Sequence, residues 1–206
     1  MIAMNGLANL VLRDAHPLDR PAAAEVLTAA FGNSPVVCWA EPDPAARAAQ
    51  LGPYFAAMVA LAAETGTVHL AITDNRIVGV ALWYPRTTAG LKAHEVLDAQ
   101  SLEAGPESLR RLGRLEQLLH ARRPQEPHHY LAYLGVAPGD QSKGIGTALV
   151  IKHHKTLRVA GTPAYLEAND PRNRALYARL GYTDHGTPIT GHGGPPVYPM
   201  QRTFAP

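Results

Sequence analysis

The segment Gln141-Ser142-Lys143-Gly144-Ile145-Gly146-Thr147 joins a run of strand character ending at Val136 to a run of helical character. Its two glycines let a ligand approach the main chain closely, and the first amides of a helix find no acceptor within the helix itself. Those amides and the helix dipole favour an anion, so the ligand expected at such a turn is a pyrophosphate. Two glycines at a strand-to-helix junction can also serve only a tight turn. A second constellation lies downstream. Asn173 and Tyr177 are four apart in the helical stretch Pro171–Leu180, which Asp170 is placed to cap, so they share one face, with Leu176 and Leu180 on the neighbouring stripe. Tyr177 reads either as a half-buried core aromatic or, beside a phosphate turn, as a hydroxyl aimed at a ligand.

Three kinds of phosphate turn compete for the first segment. A triphosphate-hydrolysing loop ends in Gly-Lys-Ser/Thr, whereas Lys143 precedes Gly144. A dinucleotide turn puts its first glycine directly after the strand and a third where Leu149 stands; Glu167 does follow at about 20 residues, as that motif asks, but only one such crossover is visible. The third form, Gln-x-x-Gly-x-Gly running into a helix, resembles the pyrophosphate turn of acetyl-coenzyme A-dependent N-acetyltransferases.

The elements that must position these residues follow from pattern. Leu7–Arg13 reads as a strand and Asp19–Phe31 as a helix with Pro21 in its first turn; loop signals come at Gly32 to Pro35. Asp43-Pro44 opens a long helix to about Glu64, which Gly52-Pro53 would kink or split. Thr67–Thr73 and Arg76–Tyr84, joined by Asp74-Asn75, form an antiparallel hairpin. Residues 87–121 read as two helical pieces broken near Gly105-Pro106, with Leu109, Leu112, Leu115, Leu118 and Leu119 at helical spacing. Then come strand His129–Val136, helix Gly144–Ala160, strand Ala164–Ala168 and helix Pro171–Leu180, the crossover implying a parallel pair. A last hairpin is expected from Tyr182–Pro188 and Val197–Thr203, flanking the loop Gly191–Pro196. The result is an α/β (α+β) chain, with a mixed, mostly antiparallel sheet, one parallel crossover and helices on both faces. Residues 1–206 read as one domain, 87–121 being a helical insertion between the third and fourth strands.

Together these residues resemble the GNAT superfamily of N-acetyltransferases. The likeness rests on Leu134-Gly135-Val136-Ala137-Pro138, the Gln141–Gly146 turn, Tyr165-Leu166-Glu167, and Asn173 through Leu176-Tyr177 to Leu180-Gly181-Tyr182. Within it the chain is similar to the puromycin N-acetyltransferases, on Ala29-Ala30-Phe31 with Pro35, Arg123-Pro124-Gln125-Glu126-Pro127, Pro163–Glu167 and Pro171-Arg172-Asn173. The regions 85–119 and Gly186–Pro196 match poorly, and these are the segments expected to wall the acceptor.

The resemblance implies acetyl-coenzyme A in a V-shaped opening between the fourth and fifth strands. Main-chain groups of Leu134, Gly135 and Val136 would pair with the pantetheine, while Gln141, Ser142, Lys143, Gly144, Ile145, Gly146 and Thr147 would hold the pyrophosphate and Asn173 the pantetheine arm. Tyr177 would be the general acid for the departing thiolate and Glu167 the general base. The chemistry suits them: an aliphatic ammonium must lose a proton before it attacks, and a phenol with an ordinary pKa near about 10 stays protonated to serve as the acid. An amide near Val136 would stabilise the oxyanion. For Glu167 the structural alternative is a strand-end carboxylate paired with Arg172 or Arg174.

Composition sets the outer bounds. Nineteen basic against 17 acidic residues leave +2, too little for a dedicated nucleic-acid or membrane-surface binder, and 46% hydrophobic residues indicate a globular chain. The longest apolar run, Phe55–Ala63, falls short of a membrane span, no basic-then-apolar leader opens the sequence, and Cys38 alone excludes an intrachain disulfide. A cytoplasmic setting fits. No metal is expected of the ten histidines, whose pairs His128-His129 and His153-His154 are adjacent rather than four apart. Arg110, Arg111, Arg114, Arg122 and Arg123 read as a solvated helix face, and Trp39, Tyr54 and Trp83 as core or as stacking groups for an acceptor.

The expectation is therefore an acetyl-coenzyme A-dependent N-acetyltransferase acting on a primary amine of a small molecule, an aminonucleoside or aminoacyl antibiotic in a resistance role. The alternatives are a protein or peptide amine as acceptor, or an acyl-coenzyme A-binding sensor without turnover. A homodimer is compatible with either.

Overall fold

Asp74 and Asn75 both adopt positive φ, 49° and 60°, the conformation a two-residue turn requires to match the twist of its flanking strands. They join β2 (Thr67–Thr73) to β3 (Arg76–Arg86) as the sequence indicates, in a computed structural model that describes residues 9–86, 107–191 and 193–204. β1 (Val11–Asp14) pairs antiparallel with β2, and β4 (His128–Val136) antiparallel with β3. β5 (Ala164–Ala168) runs parallel to β4, while β7 (Tyr198–Arg202) is antiparallel to β5 and carries the two-residue β6 (Thr183–Asp184) on its outer edge. The seven strands thus lie in the order β1-β2-β3-β4-β5-β7-β6, a mixed sheet with one parallel pair.

Helices cover both faces. α1 (Arg20–Phe31) and α3 (Pro44–Thr65) bury Leu27, Phe55, Val59 and Ala62 against Leu70, Val80 and Leu82. On the other face α5 (Ile145–Ala160) and α6 (Pro171–Arg179) bury Ile145, Leu149, Val150 and Tyr177 against Ala81, Trp83, Leu131 and Leu166. Side chains along β3 alternate between the two cores except at one point. Ala71 pairs with Gly79 and Ile72 with Ile77, leaving Val78 as an extra residue that turns to the α5 side together with Gly79. At Gly79 a methyl group would come within 2.8 Å of Ile145 Cγ2, so glycine lets α5 settle on the sheet.

Several expectations need correction. β1 is seen from Val11, paired with Ile72, to Asp14, paired with His69, and Asn9 and Leu10 precede it outside the ladder; Leu7 and Ala8 lie outside the described residues. The loop expected after Gly32 contains a short helix, α2 (Pro35–Ala40), capped by the Ser34 hydroxyl accepting from the Val37 amide. α3 runs unbroken through Pro53, its buried face offsetting a proline cost of about 3 kcal/mol. The last hairpin is much shorter than expected. Gly186, at φ 82°, ends the first arm, among the described residues only Ile189 and Val197 continue the pairing, and β7 inserts between β5 and β6. Of the helical region 87–121, α4 (Glu107–His120) is seen, whereas the piece over 87–106 lies outside the described residues. No helix among the described residues is long and apolar enough to cross a membrane.

Candidate active site

The parallel β4–β5 ladder is only three residues long, His129–Leu131 against Ala164–Leu166. Just beyond it β4 bulges, since Leu82 pairs with Tyr133 and Trp83 with Leu131, leaving Ala132 as the extra residue. β5 meanwhile continues along β7 to Ala168. The two strands therefore part, and the free edge of β4 from Ala132 to Val136 looks across a gap towards Glu167, Asn169 and the start of α6. Two chambers occupy the gap and its flanks.

The first, of about 620 Å³, is lined by Leu134, Gly135, Val136, Gln141, Ser142, Gly144, Ile145, Gly146 and Thr147. Ser142 and Gly144 both take positive φ, 64° and 87°, which curls the turn around its own amides. The first helical bond of α5 runs from the Ala148 amide to the Gly144 carbonyl, so the amides of Ile145, Gly146 and Thr147 precede it. The Gln141 side chain donates to the Val136 carbonyl at 3.2 Å and ties the turn to β4. A methyl on Gly146 would make only ordinary contact, 3.5 Å from Leu134 Cδ2, so packing within the protein does not require glycine there. Lys143 departs from expectation: its ammonium pairs with Asp140 at 2.8 Å, and it does not line the chamber. The cationic lining comes instead from Arg172 and Arg179, with Arg172 held by the Ser142 hydroxyl at 2.7 Å. An anion-accepting turn, a guanidinium at its lip and a free strand edge fit a pyrophosphate followed by an amide-bearing arm.

The second chamber, of about 210 Å³, is mostly apolar, with Phe31, Tyr54, Phe55 and Tyr133 on one side and Leu112, Leu115 and Leu119 of α4 on the other. Phe55 and Tyr133 meet edge to face at 5.4 Å, and the Tyr54 and Tyr133 hydroxyls are hydrogen-bonded to each other. Trp83 has no part in it, being fully buried in the α5 core, and Trp39 packs instead with Leu115, Leu119, Ile189 and Val197.

Phe31, Ser34, Leu134, Asn169, Asn173 and Tyr177 line both chambers and so form their junction. Asp170 caps α6 as expected, accepting from the Asn173 amide at 2.8 Å. The Asn173 side-chain NH2 is spent on Asn169 and Asp170, at 2.7 and 2.8 Å, leaving its carbonyl oxygen for the cavity. Tyr177, one turn on, is 8% exposed; burial, helped by the Asp170 charge, raises its phenol well above the ordinary value, so it stays protonated.

Glu167 stands in the wall of the second chamber, but its partner is neither Arg172 nor Arg174. Arg174 pairs with Asp184. Arg123 Nε donates to Glu167 Oε1 at 2.8 Å, and the Tyr130 hydroxyl donates to Oε2 at 2.5 Å. Arg123 also reaches Glu116 Oε1 through Nη1 at 2.6 Å, so one guanidinium holds two carboxylates. Burial opposes the Arg123 charge, yet Glu167, Tyr130 and Glu116 hold it well above its ordinary value. For Glu116 burial dominates, Arg123 only partly countering it and Glu167 adding to it, so its carboxyl is raised. Arg123 is therefore no solvated cation, as the basic run suggested, but 7% exposed. The sequence pattern marks neither Arg123 nor Glu116 as a site residue, although Glu116 shares the helical stripe of Leu112 and Leu119. Among the described residues no cluster of His, Cys, Asp or Glu is arranged to hold a metal.

Residues 28–182 match the family model of the acetyltransferase (GNAT) family. Among solved structures, the chain is similar to a histone acetyltransferase HPA2 and related acetyltransferase from Corynebacterium glutamicum, at 27% identity and TM-score 0.69 over 96% of this chain and 97% of that one. Its fold also matches a polyamine N-acetyltransferase of Drosophila melanogaster that forms N-acetylagmatine, at 19% identity and TM-score 0.63 over 95% and 98% of the two chains. A third match is the PaiA N-acetyltransferase of Thermoplasma acidophilum in complex with coenzyme A, at 10% identity and TM-score 0.59 over 95% and 99%.

Proposed function

This chain belongs to the acetyltransferase (GNAT) family, and from that premise we propose that it transfers acetyl from acetyl-coenzyme A to the primary amine of a small, largely apolar molecule. The observation that carries the reading is the junction. A buried, protonated Tyr177 lines both the chamber built around an anion-accepting turn and the apolar chamber that ends in carboxylates. The large chamber takes acetyl-coenzyme A, with the turn Gln141–Thr147 and Arg172 on its pyrophosphate and the free edge of β4 along its pantetheine. Asn173 presents its carbonyl oxygen to that arm. The bulge at Ala132 frees main-chain amides of β4 to meet the carbonyl oxygen as it becomes an oxyanion.

In the small chamber the aromatic wall and the α4 leucines enclose the apolar part of the acceptor, and the cluster containing Glu167 draws its ammonium inward and removes a proton. Tyr177 then protonates the leaving sulfur. Holding both reactants in line supplies much of the rate, with no covalent enzyme intermediate. The neighbours that act on agmatine and polyamines support an amine acceptor. An aminonucleoside or aminoacyl antibiotic is the finer proposal, resting on the sequence resemblance. Free-thiol release from acetyl-coenzyme A is the test, with puromycin, 2-phenylethylamine and agmatine as acceptors against controls lacking each component. Amine-dependent release is the expected result, while binding of acetyl-coenzyme A with no release to any amine would mark a sensor.

A further inference from the structure

We propose that Glu116, on α4, is the group that receives the acceptor's proton, and that Glu167 acts on it through Arg123 as a positioning residue. The proposal rests on the amine reading above and goes beyond it to the atom that does the work. Both carboxylates line the small chamber, but they are engaged differently. Glu167 is spent: Oε1 accepts from Arg123 Nε at 2.8 Å, and Oε2 accepts from the Tyr130 hydroxyl at 2.5 Å and from Arg123 Nη2 at 3.5 Å. Its side chain is 5% exposed. Glu116 gives Arg123 only Oε1, and among the described residues Oε2 accepts no hydrogen bond. At 26% its side chain is the more accessible of the two.

Charge settles the same way. Facing Glu116 are Arg123 from the segment after α4, Glu167 and Tyr165 from β5, Tyr130 from β4 and Arg86 from β3. Arg123 is shared between the two carboxylates and Arg86 adds its charge through space, yet burial and the Glu167 charge outweigh both cations at Glu116, so the carboxylate with the unengaged oxygen is also more basic than an ordinary glutamate. That is the combination an incoming ammonium requires: attraction first, then a base.

The steps balance. The ammonium gives one proton to Glu116 Oε2, which later loses it to solvent. The freed nitrogen lone pair forms the N–C bond to the thioester carbonyl, and collapse of the oxyanion breaks C–S. The thiolate takes the Tyr177 hydroxyl proton, and the second proton leaving the acylated nitrogen restores that hydroxyl. The products are the acetamide, free coenzyme A thiol and one solvent proton.

The test compares the wild type, Glu116→Gln, Glu116→Asp and Glu167→Gln with 2-phenylethylamine from about pH 6 to about pH 10, alongside acetyl-coenzyme A affinity. Glu116→Gln is expected to lose about 100-fold in kcat/KM near neutral pH, with the deficit shrinking as free amine becomes abundant, and with acetyl-coenzyme A affinity retained. Glu116→Asp should recover part of the loss. In parallel, the Glu116 side-chain carboxyl carbon is followed by NMR in isotope-labelled wild type, assigned by its absence in Glu116→Gln; its resonance and titration midpoint should move when 2-phenylethylamine is added. If the wild type transfers acetyl to no amine, the functional reading falls, and the carboxyl resonance still decides this inference: one that does not move with the amine overturns it. If the wild type transfers and Glu116→Gln keeps its rate and pH profile, the inference falls while the functional reading stands.

Discussion

Asn173 and Tyr177 lie one turn apart on α6, and each lines both chambers of the site. The first spends its amide group on Asn169 and Asp170 and the second is buried at the junction, so a single short helix places both the residue proposed to meet the cofactor's arm and the proposed acid. Asp170, which caps that helix, also helps to hold the Tyr177 proton through its charge.

Replacing Tyr177 by Phe keeps the buried ring and removes only the proton donor. Turnover is expected to fall about 100-fold or more, the usual weight of a positioned acid, with acetyl-coenzyme A affinity within about twofold of wild type. Steady-state kinetics paired with calorimetric titration separate the two quantities, and an unchanged kcat would remove Tyr177 from the acid role.

Gly144 sits at φ 87° between Lys143 and the first residue of α5. An alanine there meets the left-handed penalty of about 1 to 2 kcal/mol, which the turn can relieve only by relaxing and turning its amides away from their common focus. Gly144→Ala should lower the melting temperature modestly and weaken acetyl-coenzyme A binding more than it weakens the fold. Equal affinity of the two proteins would show that this turn does not hold the pyrophosphate.

What was legible in the sequence is what local geometry dictates. Asp74-Asn75 must turn, Asp43-Pro44 must start a helix, and a glycine at 144 between strand and helix must curl, because each depends on residues next to it in the chain. The pairing of Glu167 with Arg123 spans 44 positions, and nothing in the local pattern separates Arg123 from the four other arginines of its run. Only after β4 and β5 are side by side does the segment following α4 pass over Glu167. Glu116 was within reach of sequence reasoning, since a carboxylate on the stripe of Leu112 and Leu119 must face the interior with them. The insertion of β7 between β5 and β6 likewise depends on sheet closure and leaves no mark on either strand alone.

The opposite face of the sheet carries a chain of four side chains. His69 Nδ1 lies 2.7 Å from Asp14, His69 Nε2 2.9 Å from His153 Nδ1, and His153 Nε2 2.9 Å from His129 Nδ1. With Asp14 ionised, each neutral ring must carry its hydrogen on Nδ1 for every link to be satisfied. Burial foremost, and then the neighbouring His69 and His129, lower His153 to about 2, and the ring stacks on Trp83 at 4.1 Å. An imidazole depressed in the fold binds its proton only on unfolding, so the stability it leaves intact above about pH 6.5 is lost as pH falls below that value. The loss from His153 should reach about 2 kcal/mol by about pH 5. His153→Phe, which keeps an aromatic on Trp83, should be less stable at pH 8, where His69 and His129 lose a partner, yet show a shallower decline below about pH 6.5. Parallel urea titrations across pH read both effects, and identical slopes would rule out His153 as their source.

Arg123 is the buried cation with which two carboxylates pair, and removing it takes the ion-pair partner from Glu116 and leaves Glu167 with the Tyr130 hydroxyl. Loss of one partner from a buried pair costs about 3 to 5 kcal/mol, because the charge left behind has neither water nor a counter-ion. Arg123→Met fills the space with an apolar chain and should lower stability by that order at neutral pH. Without Arg123 less positive charge counters the burial that already raises the Glu116 carboxyl, so Glu116 should take up a proton more readily and the variant should recover part of its deficit as pH falls towards about 5, opposite in sign to the histidine effect. The pH-dependent difference between Arg123→Met and the wild type reads that recovery: the chain through His153 lies on the other face and is common to both, while His128, which the Arg123 charge helps to hold below its ordinary value, adds in the same direction. A deficit that stays constant from about pH 8 to about pH 5 would mean that the guanidinium packs beside these carboxylates without neutralising them. Arg123→Lys restores the charge but not the fork that reaches Glu116 and Glu167 together, and so it should recover stability without full activity.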